Sequence, residues 1–171
     1  MKYKPLLFAS AVLGSGLFVS NGQQPAPGAI FTSDQAEAGR VAYENSCGKC
    51  HTPTLLGRTG APDELPPLSS ISLEYQKFIG PRGTVPPLAG PVFLSRWGNK
   101  TAGQLISRFQ ETVDYFALEE NNETTVNITA YILQANGAKP GSSALTRSTD
   151  TLVSSVIDTE PHAASSRPTR P

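Results

Sequence analysis

The sequence predicts a small all-α domain of three to four helices separated by long loops rich in proline and glycine. Two capping-box sequences, beginning at Thr32 and Thr101, are each followed by apolar residues at helical spacing. No alternating strand pattern of useful length occurs. Residues 52–91 hold 8 of the 15 prolines and 5 of the 15 glycines, which precludes a long regular element there.

Capping signals place the helices along the chain. The first helix is predicted over 32–46, and a short one over 70–79. Thr101 begins the next helix, whose apolar face comprises Leu105, Ile106, Phe109 and Val113. An asparagine at 121–122 caps the last helix, which Gly137 ends and whose apolar stripe comprises Val126, Ala130 and Leu133.

The N-terminal residues are typical of a cleavable secretory signal. Lys2 and Lys4 form a basic start, an apolar stretch follows over 6–19, and small residues at 20–22 suit a signal peptidase. Residues 1–22 are therefore predicted to be a signal peptide for bacterial export. An uncleaved anchor helix is the alternative, although the apolar run is short for a membrane span.

Composition divides the rest of the chain into a domain and a tail. Residues 142–171 contain 7 serines, 5 threonines and 3 prolines but no aromatic residue. They are predicted to be a disordered tail, because they cannot bury enough apolar surface to offset the entropy of ordering. The folded domain is then 30–141, and a bound cofactor would help to stabilise so small a core.

The chain is formally neutral, with 14 Lys and Arg residues against 14 Asp and Glu residues. This balance excludes a nucleic-acid binder that works by neutralising many phosphates. Beyond the N-terminal segment no apolar run reaches the length of a membrane-spanning helix. No integral membrane span is therefore expected after signal cleavage.

The two cysteines carry the most specific signal in the sequence. Cys47, Cys50 and His51 form a C-x-x-C-H sequence, which is the attachment signal for c-type haem. The two thiols form thioethers with the two vinyl groups on one edge of the porphyrin, and the histidine is carried beneath the ring, where it binds iron. The predicted cofactor is one covalent haem c.

Three other uses of these residues are weaker. A thioredoxin-like redox pair favours a βαβ context, which the pattern does not contain. A structural zinc site needs four ligands, and only the distant His162 remains to complete this set. A disulfide across so short a loop would add little stability, because few residues are constrained.

Four motifs are spread along the predicted domain: GRVAY at 39–43, C-x-x-C-H at 47–51, PPLAGP at 86–91 and AYILQANG at 130–137. Together they resemble a monohaem bacterial cytochrome c of class I, especially the domains associated with quinoprotein alcohol dehydrogenases. The resemblance covers about 35–141. It implies that the first and last helices cross closely at Gly39, with Tyr43 and Tyr131 packed around the crossing.

The resemblance also implies which residues surround the haem. The Pro86 carbonyl would accept a hydrogen bond from the second ring nitrogen of His51, which orients the imidazole and makes it more basic. Leu88 would pack on the haem face. Trp97 would line the propionate edge, and a buried structural role for this tryptophan is an equal alternative.

The sequence departs from the family at the sixth iron ligand. The family places a Met-Pro pair after the helix that is predicted here over 101–110, whereas this chain has the stretch 111–115 there, with Val113 at the methionine position. The only methionine is Met1, which leaves with the signal peptide. The sixth position is therefore predicted to be open or filled by water or a weak ligand, and the side chains that could reach it are Tyr115, Lys100 and His162.

The predicted function is electron transfer in the periplasm or outside the cell. No acid–base or nucleophile constellation accompanies the haem motif, so an electron carrier is favoured over an enzyme. Redox proteins are the expected partners, with a quinoprotein dehydrogenase as donor and a respiratory oxidase or cytochrome as acceptor. The alternative is a haem-based binder or sensor of a small gas at an open iron face. Peroxidase-like activity ranks last, since no distal His or Arg pair is visible.

Overall fold

The computed structural model describes residues 28–61, 63–116, 118 and 121–157. This part of the chain is mostly helical and contains no strand, so the all-α prediction is confirmed. In chain order the helices are α1 (Ser33–Asn45), α2 (Gly48–His51), α3 (Leu73–Ile79), α4 (Gly90–Trp97), α5 (Ala102–Tyr115), α6 (Asn122–Ala135) and α7 (Val153–Val156), with a 3-10 turn at Leu68–Ser70.

The predicted helix starts are confirmed at α1, α5 and α6. In α1 the Thr32 hydroxyl accepts a hydrogen bond from the Gln35 amide, and the Gln35 side chain accepts one from the Thr32 amide, each at 3.2 Å. The same reciprocal box opens α5 at Thr101. Asn121, rather than its neighbour, caps α6 by accepting from the Thr124 amide at 2.9 Å. Each cap satisfies amides that the first helical turn leaves without partners.

The predicted number of three to four helices is too low for the described residues, because the helices that were not predicted are too short for apolar periodicity to mark them. α2 and α7 have 4 residues each. α4 has 8 residues and starts with a proline in its first turn, a position where the missing amide hydrogen costs nothing. The helix predicted over 70–79 begins at Leu73.

α1 and α6 cross with their backbones in contact, as the resemblance to cytochromes c implied. A β-carbon on Gly39 would overlap the carbonyl group of Asn127 and would lie 2.8 Å from the Ile128 nitrogen. Around the crossing, the rings of Tyr43 and Tyr131 stack at a tilt, with centroids 5.2 Å apart. Only a residue without a side chain lets the two helices approach this closely.

The prediction of a disordered tail that begins at residue 142 is wrong for 142–157, which we call the C-terminal segment. Its Leu145, Val153 and Ile157 side chains are buried in the same core as α1, α5 and α6. The Ala102 and Gly103 amides donate to the carbonyls of Thr151 and Thr149, at 2.9 and 2.8 Å. These bonds satisfy amides of the first turn of α5, so the segment completes the domain.

Deleting residues 142–171 is therefore expected to destabilise the protein. Each of the three buried side chains contributes about 1.5–3 kcal/mol, partly offset by the entropy of ordering the segment. A net loss of about 2 kcal/mol lowers the melting temperature of a domain of this size by roughly 10 °C. Calorimetry of the truncated protein checks this, and a chain that ends at Ile157 is the matched control. Equal melting temperatures for the two truncations would contradict the packing of the segment.

The predicted signal peptide, residues 1–22, lies outside the described residues, and so does 158–171 with His162. Within the described ranges, none of the helices combines the length and the apolar character that a membrane crossing requires.

Candidate functional site

α2 presents the C-x-x-C-H sequence as one helical turn. The Cys47 carbonyl accepts hydrogen bonds from the amides of Cys50 and His51, at 3.1 and 2.8 Å. Side chains three and four residues apart share one face of a helix, and all three of these side chains line a single cleft. Thr52 ends the turn in the left-handed region, with φ of 63°.

Tyr43 of α1 supports this turn and explains the glycine within the motif. Its hydroxyl donates to the Thr52 carbonyl at 2.7 Å. A β-carbon on Gly48 would lie 3.0 Å from the Tyr43 carbonyl oxygen and 3.2 Å from the Tyr43 ring. Burial raises the pKa of Tyr43, with smaller contributions from Cys47 and Tyr131, so the phenol keeps its proton as a donor at neutral pH. A larger residue at 48 would require Tyr43 to give way by a few tenths of an ångström.

The two cysteines are not joined by a disulfide. The Ser46 hydroxyl lies 3.7 Å from the Cys47 sulfur. Burial, with smaller contributions from Cys47 and Glu74, raises the pKa of Cys50 to about 11. Because a redox-active pair depends on a thiolate of lowered pKa, this environment disfavours a thioredoxin-like role for Cys50.

The zinc alternative depends on a residue whose position is not described. Among the described residues, no group of three or more His, Cys, Asp or Glu side chains is arranged to hold a metal ion. His162, which would complete a set of four ligands, lies outside these residues.

Pro86 holds one ring nitrogen of His51, and the other makes no hydrogen bond to the described residues. Nδ1 lies 2.8 Å from the Pro86 carbonyl oxygen and donates its proton to it. The resemblance placed this carbonyl at the same position. Burial lowers the pKa of His51, and the bond to Pro86 acts in the opposite direction. A neutral imidazole with its proton on Nδ1 presents a lone pair on Nε2, which is the form that ligates metals.

The residues after Pro86 are hydrogen-bonded to Leu55, which follows α2, and to Asn136 at the end of α6. The Leu88 amide donates to the Leu55 carbonyl at 2.7 Å. The Asn136 side chain donates to the Leu88 carbonyl and accepts from the Gly90 amide, each at 2.9 Å. Sequence reasoning missed Asn136, although it lies in one of the four motifs and Leu88 in another. Asn136 thus links α6 to the segment that lines the cleft.

The cleft has a volume of about 410 Å³ and is walled largely by hydrocarbon. Its walls come from α3, α4, α5, α6 and the segment around Pro86. The apolar side chains that define it include Leu88, Phe109, Val113, Phe116, Ile128 and Ile132. Helical periodicity had assigned Phe109 and Val113 to an apolar face, and nothing in that pattern distinguishes a cleft wall from a core contact.

The structure brings most of the predicted site residues into this cleft. Cys47, Cys50, His51, Pro86 and Leu88 line it, as do Trp97 and Val113. Two side chains proposed as the sixth iron ligand are not among its lining residues. Tyr115 is 83% exposed and Lys100 is also exposed. The third candidate, His162, lies outside the described residues.

Tyr75 of α3 lines the cleft, whereas the sequence had offered Tyr115 as the tyrosine that could reach the iron. Its ring centroid is 6.5 Å from that of Phe78, which in turn lies 6.2 Å from the ring of Phe116. These rings connect α3 to the end of α5 along the cleft. A sequence pattern could not have found Tyr75, because the contact depends on how α3 packs.

Comparisons with known proteins identify no relative of this chain. No family model matches the chain. No curated protein and no solved structure is significantly similar to it. The functional inference therefore depends on the residues and geometry of the cleft.

Proposed function

We propose that this protein is an exported electron carrier of the cytochrome c type, with one haem c attached through Cys47 and Cys50. The observation that carries the proposal is the C-x-x-C-H turn, which opens onto an apolar cleft with the second nitrogen of His51 already hydrogen-bonded to Pro86.

The residues of the cleft suit a large, mostly apolar, planar group. A volume of about 410 Å³ lies within the range of small-molecule and cofactor sites, about 300–1,000 Å³. Two thiols and an imidazole lie along a single helical turn, α2, that lines the cleft. Arg96 and Trp97 also line the cleft and carry N–H donors that suit the carboxylates of such a group.

Each of these residues has a defined role in the proposed carrier. Cys47 and Cys50 hold the group covalently, and His51 binds iron through Nε2. The Pro86 carbonyl fixes the ring orientation of His51 and raises its basicity. When bound, the haem supplies one-electron chemistry at its iron, and the hydrocarbon walls of the cleft limit the access of water.

Reversible one-electron titration tests the proposed function. The purified full-length protein, produced with a c-type maturation system, is expected to be reduced and reoxidised by one electron per chain. A quinoprotein dehydrogenase is the proposed donor, and a respiratory oxidase or cytochrome is the proposed acceptor. Matured protein that takes up no electron would contradict electron transfer.

Binding of a small neutral gas is a second candidate function, favoured by the residue at position 113. Val113 is buried and lines the cleft, whereas Tyr115 and Lys100 do not line it. A valine side chain has no atom that can donate electrons to iron, so an open sixth position is proposed. Ferrous protein is then expected to bind carbon monoxide without displacing a protein ligand. A low-spin, six-coordinate spectrum unaffected by carbon monoxide would exclude this candidate and leave the electron carrier.

Val113→Met is expected to convert the iron to a six-coordinate, low-spin state and to raise its reduction potential. The thioether places a sulfur donor on the side of α5 that lines the cleft, and methionine ligation favours ferrous iron. Absorption spectra and a potentiometric titration measure the change. Val113→Leu is the matched control, since it adds volume without a donor. The same spectrum in both variants would argue against Val113 facing the iron.

A further inference from the structure

Arg58 is a buried cation with no carboxylate partner among the described residues. Its exposed fraction is 4%, one of the lowest among the polar residues of the described ranges. The ion pairs found in these ranges involve Arg40, Lys49 and Arg108 instead. Because burying an unpaired charge is costly, the surroundings of Arg58 must compensate for it.

Three backbone carbonyls surround the Arg58 guanidinium. Nε donates to the Pro66 carbonyl at 2.7 Å, and Nη2 donates to the Pro81 carbonyl at 2.9 Å. Nη1 donates to the Gly83 carbonyl. Pro66 precedes α3, whereas Pro81 and Gly83 follow it. One side chain therefore ties together both ends of the loop that carries α3.

The backbone of Arg58 is paired with the residue that precedes Pro86. The Arg58 amide donates to the Val85 carbonyl, and the Val85 amide donates to the Arg58 carbonyl, both at 2.9 Å. Next to this bridge, the Gly57 amide donates to the His51 carbonyl at 2.9 Å. A β-carbon on Gly57 would lie 2.8 Å from the Pro86 oxygen, so the segments around Gly57 and Pro86 are in close contact.

We propose that Arg58 is a positioning residue for His51. Its guanidinium fixes the loop over 81–83, the bridge at Val85 carries that constraint to Pro86, and the Pro86 carbonyl is held at Nδ1 of His51. The inference rests on the proposed function, because it concerns the imidazole that would bind iron. The fork of donors matters, since the guanidinium donates from three separate nitrogens, whereas the three donors of a lysine all leave a single nitrogen.

A role in stability alone makes a different prediction from a role in positioning. Loss of a purely structural clamp lowers the melting temperature and leaves the iron unaffected. Loss of a positioning clamp also weakens the bond from Nδ1 to Pro86, which makes His51 less basic. A less basic ligand stabilises ferric iron less, so the reduction potential rises and the iron–histidine stretching band moves to lower frequency.

The test uses full-length, haem-loaded Arg58→Lys and Arg58→Gln proteins. Both variants are expected to shift the band, Arg58→Gln by more. The potential is compared in Arg58→Lys, which keeps the positive charge and is expected to raise the potential, because loss of that charge in Arg58→Gln would by itself lower it. Leu145→Ala is the matched control, since Leu145 is buried in the C-terminal segment and does not line the cleft. It is expected to lower the melting temperature without either change. An unchanged band in both Arg58 variants, an unchanged potential in Arg58→Lys, or equal changes in Leu145→Ala would overturn the proposal.

Failure of the proposed function gives a different result. Wild-type protein that takes up no haem would overturn the function, and Arg58 is then tested in the haem-free protein by 15N NMR of the His51 ring. The expected result is a proton on Nδ1 in the wild type and a mixture of tautomers in Arg58→Gln. The same tautomer in both proteins would overturn the positioning role.

Discussion

Replacing both Cys47 and Cys50 with alanine is expected to abolish covalent haem attachment. The two thiols lie on one turn, and no other cysteine is present in the chain. Haem held by His51 and hydrophobic contact alone is extractable by acidified organic solvent, whereas thioether-linked haem is not. The variant should also melt at lower temperature, because a group bound only to the folded state stabilises that state.

Lys49→Ala is the matched control for the cysteine replacement. Lys49 lies between the cysteines on the same turn, and its exposed pair with Glu74 at 3.2 Å contributes little to stability. This variant should keep covalent haem and a melting temperature close to that of the wild type. Loss of covalent haem in Lys49→Ala, or its retention in the double alanine variant, would contradict the attachment assigned to the cysteines.

Gly39→Ala is expected to prevent the native crossing of α1 and α6. The added β-carbon would overlap the Asn127 carbonyl group, and backbone atoms cannot move aside as a flexible side chain can. The helices must separate, at a cost of at least about 3 kcal/mol, the upper end of typical overpacking penalties. That is a large share of the stability of a small domain, about 5–15 kcal/mol. Denaturant unfolding measures the loss.

The direction of the stability change in Gly39→Ala distinguishes a close helix crossing from ordinary helix propensity. In an isolated helix, alanine is favoured over glycine by about 1 kcal/mol. The exposed neighbour Ala38 provides the control: Ala38→Gly should destabilise the protein by about 1 kcal/mol or less. A stabilised Gly39→Ala variant would show that α1 and α6 are not in backbone contact.

Local signals explain which parts of the fold the sequence could predict. The capping boxes at Thr32 and Thr101 each join residues three positions apart, so both partners can be identified within four consecutive residues. The C-x-x-C-H turn is local in the same sense. Each of these predictions needed only a short window of sequence.

Contacts between distant residues explain what the sequence could not predict. Arg58 bonds to carbonyls of Pro66, Pro81 and Gly83, and every residue supplies a carbonyl, so no residue type marks these partners. The C-terminal segment likewise satisfies amides of α5 through its backbone. Its polar composition indicated a tail, because composition measures side chains and gives no information on backbone bonds.

Val113 shows a further limit of sequence reasoning at the candidate site. Its position relative to the family motif indicated a missing methionine ligand, and the structure adds that this side chain is buried at the cleft. The alternative ligand Tyr115 was reasonable from sequence spacing alone. It does not line the cleft because it lies at the exposed end of α5, whereas Tyr75 reaches the cleft from α3.

Intact-mass spectrometry of the wild-type protein tests the central claim most directly. The full chain is produced with a working c-type haem maturation system, extracted with acidified organic solvent, and weighed before and after proteolysis. The account predicts a mature chain heavier by one haem, with the added mass on the peptide that contains residues 47–51. A mass equal to that of the polypeptide alone, from cells that attach haem to a control cytochrome c, would contradict it.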